Sequence, residues 1–178
     1  MAKQVKNETA SQIKSLVLPF TAVIVIPATI LALTDDFNLG WGLRLSVDIL
    51  IVIVGFMIII VGLYLLISTI RLFSTIGKGT LAPWSPPHKL VVAGPYRYVR
   101  HPMISGVLLV ILGESTIFGS LVIFSWFALF FVVNVVYFRF SEEPGLVKRF
   151  GEDYTHYKNN VRSWIPRLKP WNDDRSGE

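Results

Sequence analysis

The residues able to do chemistry lie in two short stretches far apart in the chain. The first is His88-Lys89-Leu90-Val91, followed by Gly94-Pro95-Tyr96-Arg97-Tyr98-Val99-Arg100-His101-Pro102. The second is Arg139, followed by Ser141-Glu142-Glu143-Pro144. Arg100, His101 and His88 are donors suited to a carboxylate. Pro102 marks the first turn of a helix, where free N–H groups also attract anions. Glu142 and Glu143 can accept from hydroxyls or from an ammonium group. Each residue has a plainer reading when taken alone. Arg97 and Arg100 can anchor a helix at lipid headgroups, and Tyr96, Tyr98, Trp84 and Trp164 can form an interfacial belt. His88 can be an ordinary loop histidine, His101 a helix cap, and Glu142-Glu143 a solvated helix start. The chain has no cysteine, which excludes disulfides, thiolate metal sites and cysteine nucleophiles.

The elements that must position these groups are hydrophobic. The chain has 178 residues, with 52% hydrophobic and 16% charged residues and a mean hydropathy of +0.54. Charged residues make up about 25% of a typical soluble domain, so this composition points to the membrane. Twenty uncharged residues separate Lys14 from Asp35, and twenty-six carrying only Asp48 separate Arg44 from Arg71. Thirty-seven more, carrying only Glu114, separate His101 from Arg139. A spanning helix needs about 20 apolar residues, so the first two runs are single spans. The third reads as a helical hairpin that breaks near Ser115–Ser120, with a short arm over 102–114 and a longer one over about 119–140. Pro19 and Pro27 are expected to kink the first span. Gly55 and Gly62, seven residues apart, are expected to permit close helix packing. Asp48 and Glu114 lie near helix ends and are assigned to topology or packing.

The fold class is therefore an all-α integral membrane protein of about four transmembrane helices, with room for a fifth if one run is broken further. With four crossings, 16 of the 17 lysines and arginines fall on one side and only Arg44 on the other. The positive-inside rule then places both termini and the 71–101 loop in the cytoplasm. The net charge of +5 is accounted for by these basic loops rather than by nucleic-acid binding. The 71–101 loop is rich in Gly and Pro, yet carries enough aromatic and apolar residues to argue against disorder. Beyond it, Leu146, Phe150, Tyr154, Tyr157 and Val161 recur at helical spacing. They predict an amphipathic cytoplasmic helix, opposite a solvated face of Lys148, Arg149, Glu152 and Lys158. That helix either lies on the headgroups or caps a site built against the 71–101 loop.

The joint pattern resembles the isoprenylcysteine carboxyl methyltransferase family and its phospholipid methyltransferase relatives. It is carried by His88 to Val91, Gly94 to Pro102, Glu142-Glu143, Phe150-Gly151-Glu152-Asp153-Tyr154, Tyr157, Val161 and Pro166. The resemblance covers about residues 78–167. It implies S-adenosyl-L-methionine as cofactor, with S-adenosyl-L-homocysteine as product, held in a C-terminal half. Residues 1–73 are then membrane helices and 74–178 the cofactor-binding, catalytic half. Carried over residue by residue, the cofactor positions are His88, Lys89, Leu90, Val91, Tyr96, His101, Pro102, Met103, Ile104 and Glu142, with Leu81 as a further adenine-side contact. Arg139 lies one residue out of register with the family's substrate-binding arginine. Ile104 stands where the family commonly has an aromatic.

These residue types suit that cofactor. Arg100, His101 and His88 match its carboxylate, Glu142 or Glu143 its ribose hydroxyls or ammonium, and the backbone of 88–91 its adenine edge. No Gly-x-Gly-x-x-Gly follows a strand, so the site is not that of a soluble methyltransferase. The leading acceptor is the carboxylate of an isoprenylated cysteine or a similar lipid-like acid, reached from the bilayer and held by Arg139. Three alternatives stay open. One is methylation of a phospholipid amine, with Glu143 as base. The second is a sterol-type reductase using NADPH, although such reductases usually carry more spans ahead of this region. The third is a membrane scaffold without catalysis. Neither a metal nor a nucleic acid is expected, and the membrane is the plasma membrane of a prokaryote or that of the endoplasmic reticulum.

Overall fold

The computed structural model describes residues 17–35, 37, 39–72, 75–76 and 90–172. Among the described residues every regular element is helical. They are α1 (Val17–Thr34), α2 (Leu45–Leu72), a 3₁₀ turn (Gly94–Arg97), α3 (Pro102–Phe118), α4 (Leu121–Tyr137) and α5 (Glu143–Asn160). Three stretches are long and apolar enough to cross a membrane: Val17–Thr34, Leu45–Leu72 and Leu121–Asn160, the last of which contains both α4 and α5. α3 is a shorter apolar helix. Large side chains such as Phe56, Met57 and Ile60 on α2, and Leu129, Val132 and Val136 on α4, are exposed. That outward apolar surface suits lipid and not water. The chain is a multi-pass helical membrane protein.

α2 and α3 run antiparallel, and two glycine pairs bring their backbones together. A Cβ added to Gly55 would lie 3.0 Å from the Gly113 carbonyl oxygen, and one on Gly113 would lie 2.7 Å from that of Gly55. Gly62 and Gly106 stand in the same relation, each with the other's carbonyl oxygen at 2.8 Å. The expected role of Gly55 and Gly62 holds, and their partners also lie seven residues apart. Where hydrocarbon surrounds both helices, close packing of small residues supplies the association that water would otherwise drive. Val107, Val110 and Ile111 of α3 complete the core with Ala22, Val23 and Leu31 of α1 and Ile123 of α4. The Trp126 indole donates to the Ala22 carbonyl at 3.1 Å.

The hairpin breaks within the expected Ser115–Ser120 stretch but at its far end, so its arms are equal at 17 residues each and not short and long. Thr116 does not end the helix, because its hydroxyl donates back to the Leu112 carbonyl at 2.8 Å. The reversal comes at Gly119, with φ 61°, and Ser120 caps α4 by accepting from the Ile123 N–H. A side chain at Gly119 would overlap the Gly40 carbonyl. Asp48 is structural at this end of the bundle: its carboxylate accepts from the Trp41 N–H at 2.9 Å.

Two prolines are absorbed by π-turns rather than by open kinks. The Ile26 N–H bonds to the Thr21 carbonyl immediately before Pro27, and the Glu143 N–H bonds to the Phe138 carbonyl immediately before Pro144. A proline cannot donate to the residue four back and its ring crowds that carbonyl; an i→i−5 turn relieves both problems. Pro144 lies in the first turn of α5, and α4 runs through the π-turn Phe138–Glu142 directly into it. The true break is at Gly151, with φ 57° and ψ −126°. That conformation belongs to glycine. The amphipathic helix is therefore two short helices folded at Gly151.

Candidate functional site

At the end of the bundle where α2 stops and α3 starts, the 3₁₀ turn lies against α2. A Cβ on Gly94 would sit 3.0 Å from Leu72 Cδ1. Tyr96 of this turn is buried, and its carbonyl accepts from the Tyr157 hydroxyl at 2.6 Å. Leu90 and Val92 pack against Tyr154, Tyr157, Val161 and Trp171. The apolar face of α5 thus meets the segment preceding α3, which favours the capping reading of that face over the headgroup reading.

His101 ends this segment as the residue before α3, with Pro102 in the first turn. Its ring is buried and stacks on Phe138, with centroids 3.8 Å apart and planes at 19°. Trp164 flanks it at 5.4 Å. Glu143 Oε1 lies 2.9 Å from Arg100 Nη1 and 3.9 Å from His101 Nε2, and Glu143 Oε2 lies 2.6 Å from Lys158 Nζ. Arg100 also donates to the Ser163 hydroxyl. The π-turn makes this convergence possible. Residues five apart on an α-helix point about 140° from each other, and a wider turn brings them to one face. Phe138 and Glu143 are five apart, and both address His101.

The fold at Gly151 supplies the other half. Glu143 and Lys158 would be about 22 Å apart along a straight helix, yet they form an ion pair. Lys158 was expected on a solvated face. It instead turns inward, and the reason is the positive φ of Gly151.

The electrostatics follow from this packing. Burial pushes the Glu143 carboxyl up, but His101, Lys158 and Arg100 outweigh it and hold the group at about 2. Burial lowers the His101 imidazole, with Glu143 acting against that and Arg100 adding to it. Burial, and secondarily the Glu143 charge, pushes Glu142 up to about 7. Burial likewise raises Tyr154, to about 12. At neutral pH Glu143 is a fixed anion, His101 a neutral ring and Glu142 poised between its two forms. Three buried polar atoms at this cluster, Arg100 Nε, His101 Nε2 and the Tyr154 hydroxyl, lack a well-formed hydrogen bond to any described residue.

Of the residues singled out in the sequence, Tyr96, Arg100, His101, Pro102 and Glu143 gather here with Leu90, Val91 is buried in the segment preceding them, and Glu142 ends the π-turn just before Glu143. Met103 and Ile104 are half-buried in the first turn of α3. Arg139 is exposed and joins none of the contacts around His101. Leu81, Trp84, His88 and Lys89 lie outside the described residues. The sequence reading missed Lys158, Ser163, Trp164 and Phe138. Only Phe138, adjoining the charged stretch five residues before Glu143, carried a local signal.

The family model for phospholipid methyltransferases matches residues 50–153, which run from within α2 past His101 and Glu143 and stop before Tyr154 and Lys158. The chain belongs to that family. The chain is also 37% identical over 85 residues to the protein-S-isoprenylcysteine O-methyltransferase of Schizosaccharomyces pombe (strain 972 / ATCC 24843). That match covers 46% of this chain and 34% of the yeast protein, so the chain accounts for only part of its relative's length. A membrane methyltransferase of this family takes S-adenosylmethionine as its general methyl donor.

Proposed function

We propose that the protein methylates the C-terminal carboxylate of an isoprenylated cysteine, or of a similar lipid-like acid, with S-adenosylmethionine as donor. The observation that carries this reading is the buried Arg100–Glu143–His101 cluster at the foot of α3, which presents donors and fixes its only fully buried carboxylate as an anion. The residues fit the donor molecule. Arg100 Nε and the Tyr154 hydroxyl make no well-formed hydrogen bond among the described residues and His101 Nε2 meets only the 3.9 Å contact with Glu143, so these donors can turn to its carboxylate, and Glu142 is an acceptor for its ammonium or ribose hydroxyls. The backbone of Leu90 and Val91 and the first turn at Pro102, Met103 and Ile104 are the groups assigned to the remainder. When bound, S-adenosylmethionine supplies an electrophilic methyl group on a sulfonium centre.

The chain's own residues then align and dehydrate. Glu143, pinned between Arg100 and Lys158, holds the guanidinium in place and takes up no proton near neutrality. A carboxylate acceptor needs none removed, since a free α-carboxyl ionises near a pKa of about 3.5. Arg139, exposed where α4 leaves the apolar region, is the residue assigned to pair with that carboxylate. Phe138 and Trp164 beside His101 keep water from the reacting groups. By the positive-inside rule the site faces the cytoplasm.

A second reading, methylation of a phospholipid amine, is favoured by one observation. Glu142, at about 7, is tuned as a base for a protonated amine. It replaces Glu143 in the role assigned from sequence, because Glu143 is held ionised and occupied.

Two measurements separate these readings. S-adenosylhomocysteine should raise the melting temperature in detergent and NADPH should not; the reverse would make the protein a reductase. Methyl release with a farnesylated cysteine, compared with phosphatidylethanolamine, then chooses the acceptor. His101→Ala and Glu142→Ala should abolish S-adenosylhomocysteine binding while the protein still inserts. Normal binding by both variants would refute the site.

A further inference from the structure

Residues 161–172, beyond α5, form a strap that runs antiparallel to residues 97–100. The Arg100 N–H donates to the Arg162 carbonyl, the Arg167 N–H to the Tyr98 carbonyl and the Trp171 N–H to the Arg97 carbonyl, each at 2.9 Å. The Arg97 side chain closes the far end by donating to the Trp171 carbonyl at 2.9 Å. The strap is thus fixed in register to the segment that carries the candidate site.

Its middle reaches deep along α4. Trp164 lies against Phe131 edge-on at 5.2 Å and against Phe138 at 5.7 Å. Phe131 is six residues back from the end of α4 at Tyr137, or about 9 Å along the helix axis. The helix carries no charge from Leu121 to Phe138, so that depth belongs to the apolar layer. After Trp164, Ile165 is 63% exposed and Leu168 is 102% exposed, while half-buried Arg167 between them turns its guanidinium to the Asn160 carbonyl. Arg162 and Lys169, also exposed, bracket this apolar pair with positive charge. An aromatic packed on a spanning helix, bare aliphatic side chains beside it and flanking cations together match the boundary between acyl chains and anionic headgroups.

We propose that residues 163–169 are a membrane-seated lip. Ile165 and Leu168 enter the acyl layer, Arg162 and Lys169 remain among anionic headgroups, and Trp164 is the wall between lipid and the His101 cluster. Trp164 is suited to that place because its ring also lies 5.4 Å from that of His101. Under the methyltransferase reading, on which this last consequence rests, the chain of a lipid-like acceptor passes over the lip at Trp164.

The absence of cysteine makes the test clean. Single Ile165→Cys, Leu168→Cys, Lys169→Cys and Glu152→Cys variants of the full chain are nitroxide-labelled and placed in vesicles of phosphatidylcholine with phosphatidylglycerol. Oxygen should relax labels 165 and 168 several-fold more than an aqueous nickel chelate does, with the ratio inverted at 152 and intermediate at 169. Equal access of the chelate to 168, 165 and 152 would overturn the proposal. This measurement involves no cofactor, so it stands or falls apart from the methyl-transfer reading. Leu168→Glu should then raise the apparent KM for a long-chain acceptor at least tenfold with S-adenosylhomocysteine affinity unchanged. A parallel loss of S-adenosylhomocysteine affinity would make the strap a brace for the donor site and refute the passage over it.

Discussion

At the scale of single residues, the site is organised by one carboxylate. Glu143 is buried with Arg100 and pairs with Lys158, so Glu143→Gln leaves a buried guanidinium without its counter-charge. Breaking one partner of such a pair costs about 3 kcal/mol, and the melting temperature in detergent should fall accordingly. Its folded pKa of about 2 lies below the ordinary carboxylate value of 4.5. The stabilisation is therefore complete above 4.5 and is lost as pH falls from there toward 2; a wild-type acid melt should show this, and the Glu143→Gln protein should not. Glu142 behaves oppositely. Its carboxyl is held up at about 7, and only the ionised form accepts from an ammonium group. S-adenosylhomocysteine affinity should rise between pH 6 and 8, by titration calorimetry, and Glu142→Gln should be both weaker and flat over that range. The donor and acceptor types were legible in the sequence. Which glutamate is spent on structure was not, because that depends on Lys158 arriving from fifteen positions away.

At the scale of elements, two glycine functions can be told apart. Gly151 has open space around an added Cβ, but its φ of 57° strains any side chain. Gly151→Ala should cost about 1–3 kcal/mol and weaken the Glu143–Lys158 pair, read as a smaller acid dependence of the melt. Gly113 has no positive φ, but a Cβ there would lie 2.7 Å from the Gly55 carbonyl oxygen. Gly113→Val should lower the melting temperature by overpacking, at about 1–3 kcal/mol or more, whereas Gly145→Ala, with nothing within 4 Å, should be neutral or slightly stabilising. Hydrophobic run lengths revealed the spans, and the spacing of Gly55 and Gly62 revealed their packing face. The hairpin break fell within the expected stretch, but its first arm runs longer than expected, because Thr116 looks polar in a list of residues although a hydroxyl bonded to the preceding turn is compatible with a helix. The amphipathic period also looked continuous through Gly151, since Leu146 and Phe150 before it and Tyr154 and Tyr157 after it join one apolar cluster.

At the scale of the whole molecule, the basic residues make a topological prediction. Gly42→Cys and Lys148→Cys should react with a membrane-impermeant thiol reagent from opposite sides of intact vesicles, with Lys148→Cys on the cytoplasmic side. Labelling of both from one side would reject the four-crossing map. The strap was the least legible part of the chain, because its order comes from backbone pairing with 97–100, and backbone pairing leaves no periodic trace in so short a segment. The two glycine pairs, 55 with 113 and 62 with 106, also bear on how the site can move. They interlock α2 and α3 main chain to main chain at two heights, so neither helix can slide or twist past the other without collision. That side of the bundle behaves as the fixed jamb. On the opposite side the strap, tied by backbone bonds to 97–100, meets α4 through the Trp164 ring contacts with Phe131 and Phe138, and under the methyltransferase reading that is the swinging leaf through which a bulky lipid is admitted.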